Sequence, residues 1–231
     1  MKENTVDLNF DFFFRRYEKI RAQADDIFKK IKQQHPDCVK CKIECSDCCN
    51  ALFDITLIEA LYINHHFNKL LSNNRRAQLI EIANKADRQV YKLKRKAAKS
   101  FESGESEYDI LAELAKERVA CPLLNSNNCC ELYEQRPITC RIYGIPTSIA
   151  GKGHTCGFSE FKPGESYPTV NLDAIQSKLL EISKELVAEI KSKYIKLGEI
   201  LVPLSMALLT TYDETYLGLA EENGKSEVKG K

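Results

Sequence analysis

The sequence predicts a mainly α fold, a single domain of several helices around an irregular, cysteine-rich loop region. Apolar residues recur every three or four positions through most of the first 100 residues, and again after about residue 170, as in amphipathic helices. No convincing hairpin signal joins two alternating segments. Glycine, proline and cysteine gather instead between Val119 and Val170, where irregular backbone is expected.

Four segments are predicted along the chain. They are an N-terminal helix (1–37), a cysteine-cluster domain with inserted helices (38–170), C-terminal helices that pack on it (171–220) and a disordered polar tail (221–231). The first helix should end at His35-Pro36, because the residue before a proline avoids the α conformation. Its apolar stripe is expected to pack into the core and consists of Phe13, Phe14, Tyr17, Ile20, Ala24, Ile27, Phe28 and Ile31.

Three helices are predicted inside the cysteine-rich part. Thr56-Leu57-Ile58-Glu59 has the form of a capping box, which opens a helix that continues to about Leu71. The next helix spans about Asn74–Ala98. Its basic run Lys92–Lys99 is expected to face solvent near the helix end, where cations suit the dipole. A short helix follows over Tyr108–Arg118.

Helical periodicity returns in the C-terminal part. It runs from Leu172 to Tyr194, and Gly198 is predicted as the residue that closes this helix. Pro203 should begin a further short helix that ends near Leu209. Between the two helical parts, Ile142–Ile145 is a stretch that could form a short strand.

Length and charge exclude several classes of protein. The chain has 231 residues and a net charge of +1, from 34 Lys and Arg against 33 Asp and Glu, whereas dedicated nucleic-acid-binding proteins carry a basic excess. The longest apolar stretch, around Ile200–Leu209, is shorter than the roughly 20 residues of a bilayer span. The first residues, MKENTVD, lack the apolar core of a secretory signal. We therefore expect a cytoplasmic protein with neither a membrane nor a nucleic acid as partner.

The ten cysteines are the outlier of the composition, and all lie between Cys38 and Cys156. The first cluster is Cys38-x2-Cys41-x3-Cys45-x2-Cys48-Cys49, and the second is Cys121-x7-Cys129-Cys130-x9-Cys140-x15-Cys156. Such short spacings let successive sulfurs turn toward one ion or one small cluster. Adjacent side chains point in different directions, so the Cys48-Cys49 pair can serve two centres.

Metal binding explains this pattern better than two alternatives. Disulfide bonds would need an oxidising compartment, to which the sequence shows no route. Inert buried thiols do not account for five cysteines in twelve residues. The softness of thiolate ligands does not separate zinc from an iron–sulfur cluster, so both cofactors stay open.

Charged and aromatic residues close to the cysteines are candidates for a supporting role. Arg141 directly follows Cys140 and is placed to donate to a thiolate, and Arg136 could do the same or pair with Glu134. His154, two residues before Cys156, is the histidine best placed to join a metal site. Two other pairs are expected to have no chemical role, His65 and His66 on a half-exposed helix surface and Tyr133 and Tyr143 as packing residues.

Two segments together resemble a known family. Cys41-Lys-Ile-Glu-Cys45-Ser-Asp-Cys48-Cys49 resembles the CxxxCxxCC opening of the YkgJ-type cysteine-cluster family, which is described as zinc- or iron-chelating. Cys121-Pro-Leu-Leu and, further on, Cys130-Glu-Leu-Tyr-Glu-Gln-Arg-Pro-Ile-Thr-Cys140-Arg-Ile-Tyr-Gly resemble the second signature of that family. The resemblance covers about Cys41–Phe158 in matching order and spacing.

The resemblance implies a set of metal ligands. Its eight cysteines are Cys41, Cys45, Cys48, Cys49, Cys121, Cys130, Cys140 and Cys156. Cys38 and Cys129 look like additions and could serve as alternative ligands. Arg136 and Arg141 are the residues expected to contact the bound cofactor.

Three functions from different classes remain open. The first is a metal- or Fe–S-binding protein whose centre joins the two cysteine segments. The second is an enzyme, since the resemblance extends to the flagellin lysine N-methylases and implies S-adenosylmethionine-dependent methyl transfer to a protein lysine, with a pocket beside the cluster. The third is a structural zinc module that presents helices to a protein partner. No phosphate-binding glycine loop, HExxH or GxSxG motif suggests other chemistry.

Overall fold

The structure, a computed structural model, describes residues 9–219; residues 1–8 and 220–231, which include the predicted tail, lie outside the described part. The described chain is mainly helical, as predicted. Its α-helices are α1 (Asp11–Gln34), α2 (Leu57–Leu70), α3 (Asn73–Glu102), α4 (Glu107–Leu114), α5 (Ile138–Ile142), α6 (Leu172–Glu189), α7 (Leu204–Leu209) and α8 (Glu214–Leu217). Its strands are β1 (Asp54–Thr56), β2 (Thr147–Ile149), β3 (Lys152–His154), β4 (Val170–Asn171) and β5 (Leu201–Pro203).

The three long helices of the first half form where the apolar periodicity predicts them. Helix α1 buries most of its stripe, whereas Ile27 lies at the edge and is 36% exposed. Helix α2 begins with the predicted capping box, in which the backbone N–H of Thr56 donates to the Glu59 carboxylate over 3.1 Å. Helix α3 begins where the Ser72 hydroxyl accepts from the backbone N–H of Arg75.

The strands correct the expectation that no hairpin is present. Strands β2 and β3 pair antiparallel around Ala150 and Gly151, both with positive φ, and β4 adds in parallel to the other side of β2. Strands β1 and β5 form a separate antiparallel pair. The predicted strand at Ile142–Ile145 is wrong, because Ile142 ends α5 and Ile145 closes a turn by donating to its carbonyl over 3.2 Å.

The end of α6 also differs from the prediction. The helix ends at Glu189, well before Gly198, and the chain then turns through Lys191 at φ 52°. Gly198 is needed for close packing instead, because a β-carbon there would lie 2.7 Å from the Cα of Lys184. The short helix α7 starts directly after Pro203, as predicted.

Two apolar clusters pack on opposite sides of α2. The larger cluster joins α1, α2, α5 and α6, and the smaller one joins α2, α3 and α7. Cys38 and Cys41 border the larger cluster, and Cys121 and Cys130 border the smaller one. The cysteine segments therefore lie between the two apolar clusters. Within residues 9–219, no helix has the length and apolar character needed to cross a bilayer.

Candidate metal centre

Backbone hydrogen bonds hold the two cysteine segments side by side. The N–H of Cys121 donates to the carbonyl of Cys49 over 2.7 Å, and the N–H of Val119 donates to the carbonyl of Asn50 over 3.1 Å. An antiparallel bridge pairs Ala51 with Arg118 next to them. Residues about 70 positions apart in the chain thus lie against each other, as a shared site requires.

A cavity of about 260 Å³ opens where the segments meet. Eight cysteines line it, and they are Cys41, Cys45, Cys48, Cys49, Cys121, Cys129, Cys130 and Cys140. Seven of these belong to the set implied by the family resemblance. Cys156 does not line the cavity, whereas Cys129, outside that set, does. The remaining wall is largely apolar and comes from α2, α3, α7 and the segments that follow the cysteines.

Three sulfurs form a hydrogen-bonded group. The thiols of Cys140 and Cys49 donate to the sulfur of Cys48, which lowers the pKa of Cys48 and raises the pKa of both donors. The pKa of Cys121 is raised to about 12 and that of Cys130 to about 11, in both cases mainly by burial. One thiolate is therefore favoured among thiols that hold their protons.

Cys41, Cys45 and Cys156 lie close to one another, next to Cys48. Burial raises the pKa of Cys41 to about 11, and Cys45 and Cys156 are close enough to contribute. The sulfur of Cys156 lies 3.3 Å from a carboxylate oxygen of Asp47, and the backbone N–H of Phe158 donates to it over 3.4 Å. Cys156 is thus a neighbour of the cavity, held by Asp47, and could ligate from the outside.

Two cysteines and the candidate histidine occupy other positions. Cys38 borders the larger apolar cluster, and its carbonyl accepts from the N–H of Glu160. The sulfur of Cys129 lies 3.5 Å from the carbonyl oxygen of Asn127, in a turn at the cavity wall. His154 is exposed in β3, outside the cavity lining.

Arg136 points its charge toward the sulfurs. It lines the cavity, and its guanidinium carbon lies 3.8 Å from the centre of the Tyr133 ring. Burial tends to lower its pKa, but Tyr133 and Cys140 raise it more. The Nε atom is buried without a hydrogen-bond partner. A buried, unused donor beside thiols suits an anionic group in the cavity.

Arg141 has partners other than the predicted thiolate. Its guanidinium is buried and pairs with Asp25 of α1 at 2.7 Å. It also donates to the carbonyls of Arg136 and Glu134. Arg141 therefore fastens α5, which carries Cys140, to α1 and to the loop of Arg136. The sequence does not identify Asp25 as a functional residue, because its surroundings in the chain resemble those of other acidic residues on helices.

Of the residues expected to have no chemical role, Tyr133 lines the cavity, whereas His65, His66 and Tyr143 do not. His65 is exposed on α2 and His66 is half-buried beside it. Tyr133 stacks against Arg136. Tyr143 is half-buried near Asp47, and its pKa is raised to about 12, mainly by burial.

The donor chemistry fits a thiophilic metal, although the thiols are not prearranged. Among residues 9–219, no three His, Cys, Asp or Glu side chains are already positioned to hold a metal ion. All ten cysteines are free thiols. Thiolates are the preferred ligands of zinc and of iron–sulfur clusters, so metal binding would require thiol deprotonation and the convergence of several cysteines on one point.

The fold and the site define a helical protein of the metal-chelating class, in which two cysteine segments share one cavity. The family model CxxCxxCC, described as "Putative zinc- or iron-chelating domain", matches residues 37–157, more than half of the chain. The chain belongs to this family. Searches of curated proteins and of solved structures gave no match.

Proposed function

We propose that this protein holds an iron–sulfur cluster or zinc in the cavity between its two cysteine segments. The observation that carries the proposal is the cavity itself, which eight thiols from both segments line. Family membership supports chelation of zinc or iron. Soft thiolates bind both, and sets of four cysteines are usual for each.

The size of the cavity favours the cluster over a single zinc ion. Four thiolates close around zinc at about 2.3 Å and leave no space between them. The observed volume of about 260 Å³ corresponds to several water molecules, each of about 30 Å³ in the liquid. A cluster with its sulfides fills more of this space, although it too takes four cysteine ligands. It would supply redox or Lewis-acid chemistry when bound.

The chain's own residues have distinct parts in this proposal. We expect the ligands of the centre to be four of the eight family cysteines, with Cys129 as an alternative to Cys156. Arg136 donates its free Nε to the sulfur atoms of the centre, and such donors to sulfur tune a cluster. Arg141 acts at a distance, by holding the segment that carries Cys140.

Anaerobic purification tests the proposal. We expect a brown protein with iron and acid-labile sulfide in matched amounts. Cys140→Ser should lose most of the iron, whereas Cys38→Ser, which alters a thiol outside the cavity, should keep it. A colourless protein with stoichiometric zinc would select the structural zinc module, and a protein that binds neither metal would refute chelation.

A second candidate is the lysine N-methylase, which needs a substrate pocket beside the cluster. The apolar part of the cavity, walled by residues such as Leu52, Val90 and Leu204, is the observation that favours it. Calorimetric titration of the iron-loaded protein with S-adenosylmethionine checks this candidate. Binding that is abolished by Val90→Trp would support it, and the absence of binding would remove it.

The ten free thiols also support our proposal of a cytoplasmic location. Iron–sulfur centres and reduced cysteines persist in reducing compartments. Localisation of a tagged full-length chain by fractionation checks this directly, and recovery in an oxidising compartment would contradict it.

A further inference from the structure

Helix α3 carries a regular row of positive charge that the cysteine site does not use. Six cations are exposed along it, and they are Lys85, Arg88, Lys92, Arg95, Lys96 and Lys99. We call this set the basic stripe. At 100° per residue its members fall within an arc of about 100°, and at 1.5 Å per residue they extend over about 21 Å. The stripe thus presents about one charge per 4 Å of helix.

The orientation of the stripe is fixed by the opposite face of the helix. Leu79, Ala83, Ala86 and Val90 are buried on that face, and two of them, Ala86 and Val90, line the cavity. The stripe must therefore point away from the core. Its cations have no carboxylate partner among the ion pairs of the described residues. Arg88 alone uses one nitrogen locally, on the carbonyl of Asn84.

The near-zero net charge of the chain conceals this asymmetry. Helix α3 has nine cationic and three acidic residues, a net charge of +6. Because the whole chain carries +1, the rest of the sequence carries −5. The total charge alone predicts that nucleic acid is not a partner, whereas the strong local charge asymmetry of α3 favours one.

Three kinds of polyanionic partner differ in what they require of a basic surface, namely an anionic bilayer, an acidic protein and a nucleic acid. Between Glu81 and Glu102 its arc contains no large aliphatic side chain, so it cannot insert into a bilayer as an amphipathic helix does. Protein interfaces are depleted in lysine and need an apolar centre, and four of the six residues here are lysines. A nucleic-acid strand requires neither an apolar inserting face nor an apolar interface centre. Its phosphates are spaced about 3.4 Å apart along the axis, close to the spacing of the charges on the stripe.

An exposed aromatic ring at the edge of the stripe adds to the match with nucleic acid. Tyr91 is 63% exposed and lies one helical turn from both Arg88 and Arg95. Single-stranded nucleic acid is commonly bound by a basic track with aromatic rings on which bases stack.

We propose that the basic stripe of α3 binds the phosphate backbone of a nucleic-acid strand without sequence preference, with Tyr91 as a stacking platform. The same helix walls the cavity on its other face, so the strand lies about one helix diameter, 10–12 Å, from the candidate metal centre. This inference does not depend on the identity of the metal.

Fluorescence anisotropy with a labelled 20-nucleotide single strand, in DNA and RNA form, tests the proposal on the full chain as purified. The stripe variant is R88Q/K92Q/R95Q/K99Q, in which glutamine keeps the helix propensity. The matched control is R15Q/K19Q/K30Q/K178Q, which removes four exposed cations from α1 and α6. Both variants change the net charge equally.

We expect the wild-type chain to bind the strand with a slope of log K against log salt of about −4, for six phosphate contacts. The stripe variant should bind at least about tenfold more weakly, with a slope shallower by about 3, while the control stays within about threefold of wild type. Tyr91→Ala should weaken the single strand more than a duplex. Equal losses in both variants, no binding at 50 mM salt, or tighter binding to phosphatidylserine vesicles or to polyglutamate would overturn the proposal.

Discussion

Gly144 approaches Cys41 more closely than a residue with a β-carbon could. A β-carbon at position 144 would lie 2.7 Å from the sulfur of Cys41 and 2.8 Å from its Cβ. The missing side chain therefore leaves space for a cavity thiol.

Gly144→Ala should displace the sulfur of Cys41 and destabilise the fold by about 1–3 kcal/mol through overpacking. We also expect metal affinity to fall by about tenfold or more, because the ligand is moved from its position. Gly153→Ala is the matched control, since open space surrounds that glycine. Competition with a chromophoric chelator measures the affinity, and equal affinities for the two variants would contradict the prediction.

Glu59 connects two helix starts through one buried carboxylate. It accepts hydrogen bonds from the N–H of Thr56, at the start of α2, and from the N–H of Ile138, at the start of α5, both over 3.1 Å. Burial raises its pKa, although these donors favour the charged form. Two residues after Ile138 comes Cys140, so the carboxylate helps to place a cavity cysteine.

Glu59→Ala should cost about 2–4 kcal/mol of the free energy of unfolding, because two buried N–H groups lose their acceptor. Glu59→Gln keeps only one acceptor oxygen, and its NH2 group faces the N–H that the other oxygen accepted. We therefore expect it to lose about 1–3 kcal/mol, less than the alanine variant. Urea unfolding gives both values. Equal midpoints for the alanine variant and wild type would show that water replaces the carboxylate.

At the scale of elements, the ion pair between Arg141 and Asp25 ties α5 to α1. Arg141 is 4% exposed, so its charge is compensated mainly by that carboxylate and by two carbonyls. Removing one partner of a buried pair is costly because the other charge is left buried.

Asp25→Ala should therefore lower the free energy of unfolding by about 2–4 kcal/mol. This range is lower than for a fully buried pair, because the Asp25 side chain is about one third exposed. The next residue provides the control. Asp26 is exposed and pairs only weakly with Lys29 at 3.9 Å, so Asp26→Ala should cost at most about 0.5 kcal/mol. Similar losses for both variants in thermal or urea unfolding would contradict a role for the buried pair.

The elements that sequence patterns predict here are those with several turns of periodicity. Helices α1 and α3 are long enough to repeat the 3.6-residue pattern, and α2 adds a capping box. Helix α5 has five residues and no repeat to detect. The β2–β3 hairpin turns through Ala150-Gly151, without the Asn-Gly or Asp-Gly signal of such turns.

In the candidate site, too, the sequence predicts one part and the tertiary structure decides the other. Spacing identifies the cysteines as one set, because metal chemistry depends on residue type and proximity in the chain. Which of them line the cavity depends on tertiary turns. Asn125 accepts from the N–H of Cys129 and sets the turn that brings this thiol to the wall, whereas Asp47 holds Cys156 aside. Neither contact can be predicted from the spacing of the cysteines along the chain.

At the scale of the whole molecule, the cysteine segments lie between two apolar cores whose buried residues come mostly from outside those segments. The larger cluster has 21 buried residues and the smaller one 11, and all of these are apolar residues other than cysteine. A chain of this length buries enough surface to fold without a covalent or metal link. We therefore expect the protein to behave differently from zinc modules that unfold without metal.

Metal removal should therefore leave the helical fold in place and loosen only the two cysteine segments. After anaerobic chelation we expect the far-UV circular dichroism of the helices to change by less than about one tenth, since most helical residues lie in the two cores. Hydrogen exchange should increase at residues 38–52 and 119–160, because the backbone link from Cys121 to Cys49 opens more often. Protection within α2 and α6 should stay unchanged. A cooperative loss of helix on chelation would mean that the metal, rather than the apolar cores, holds the molecule together.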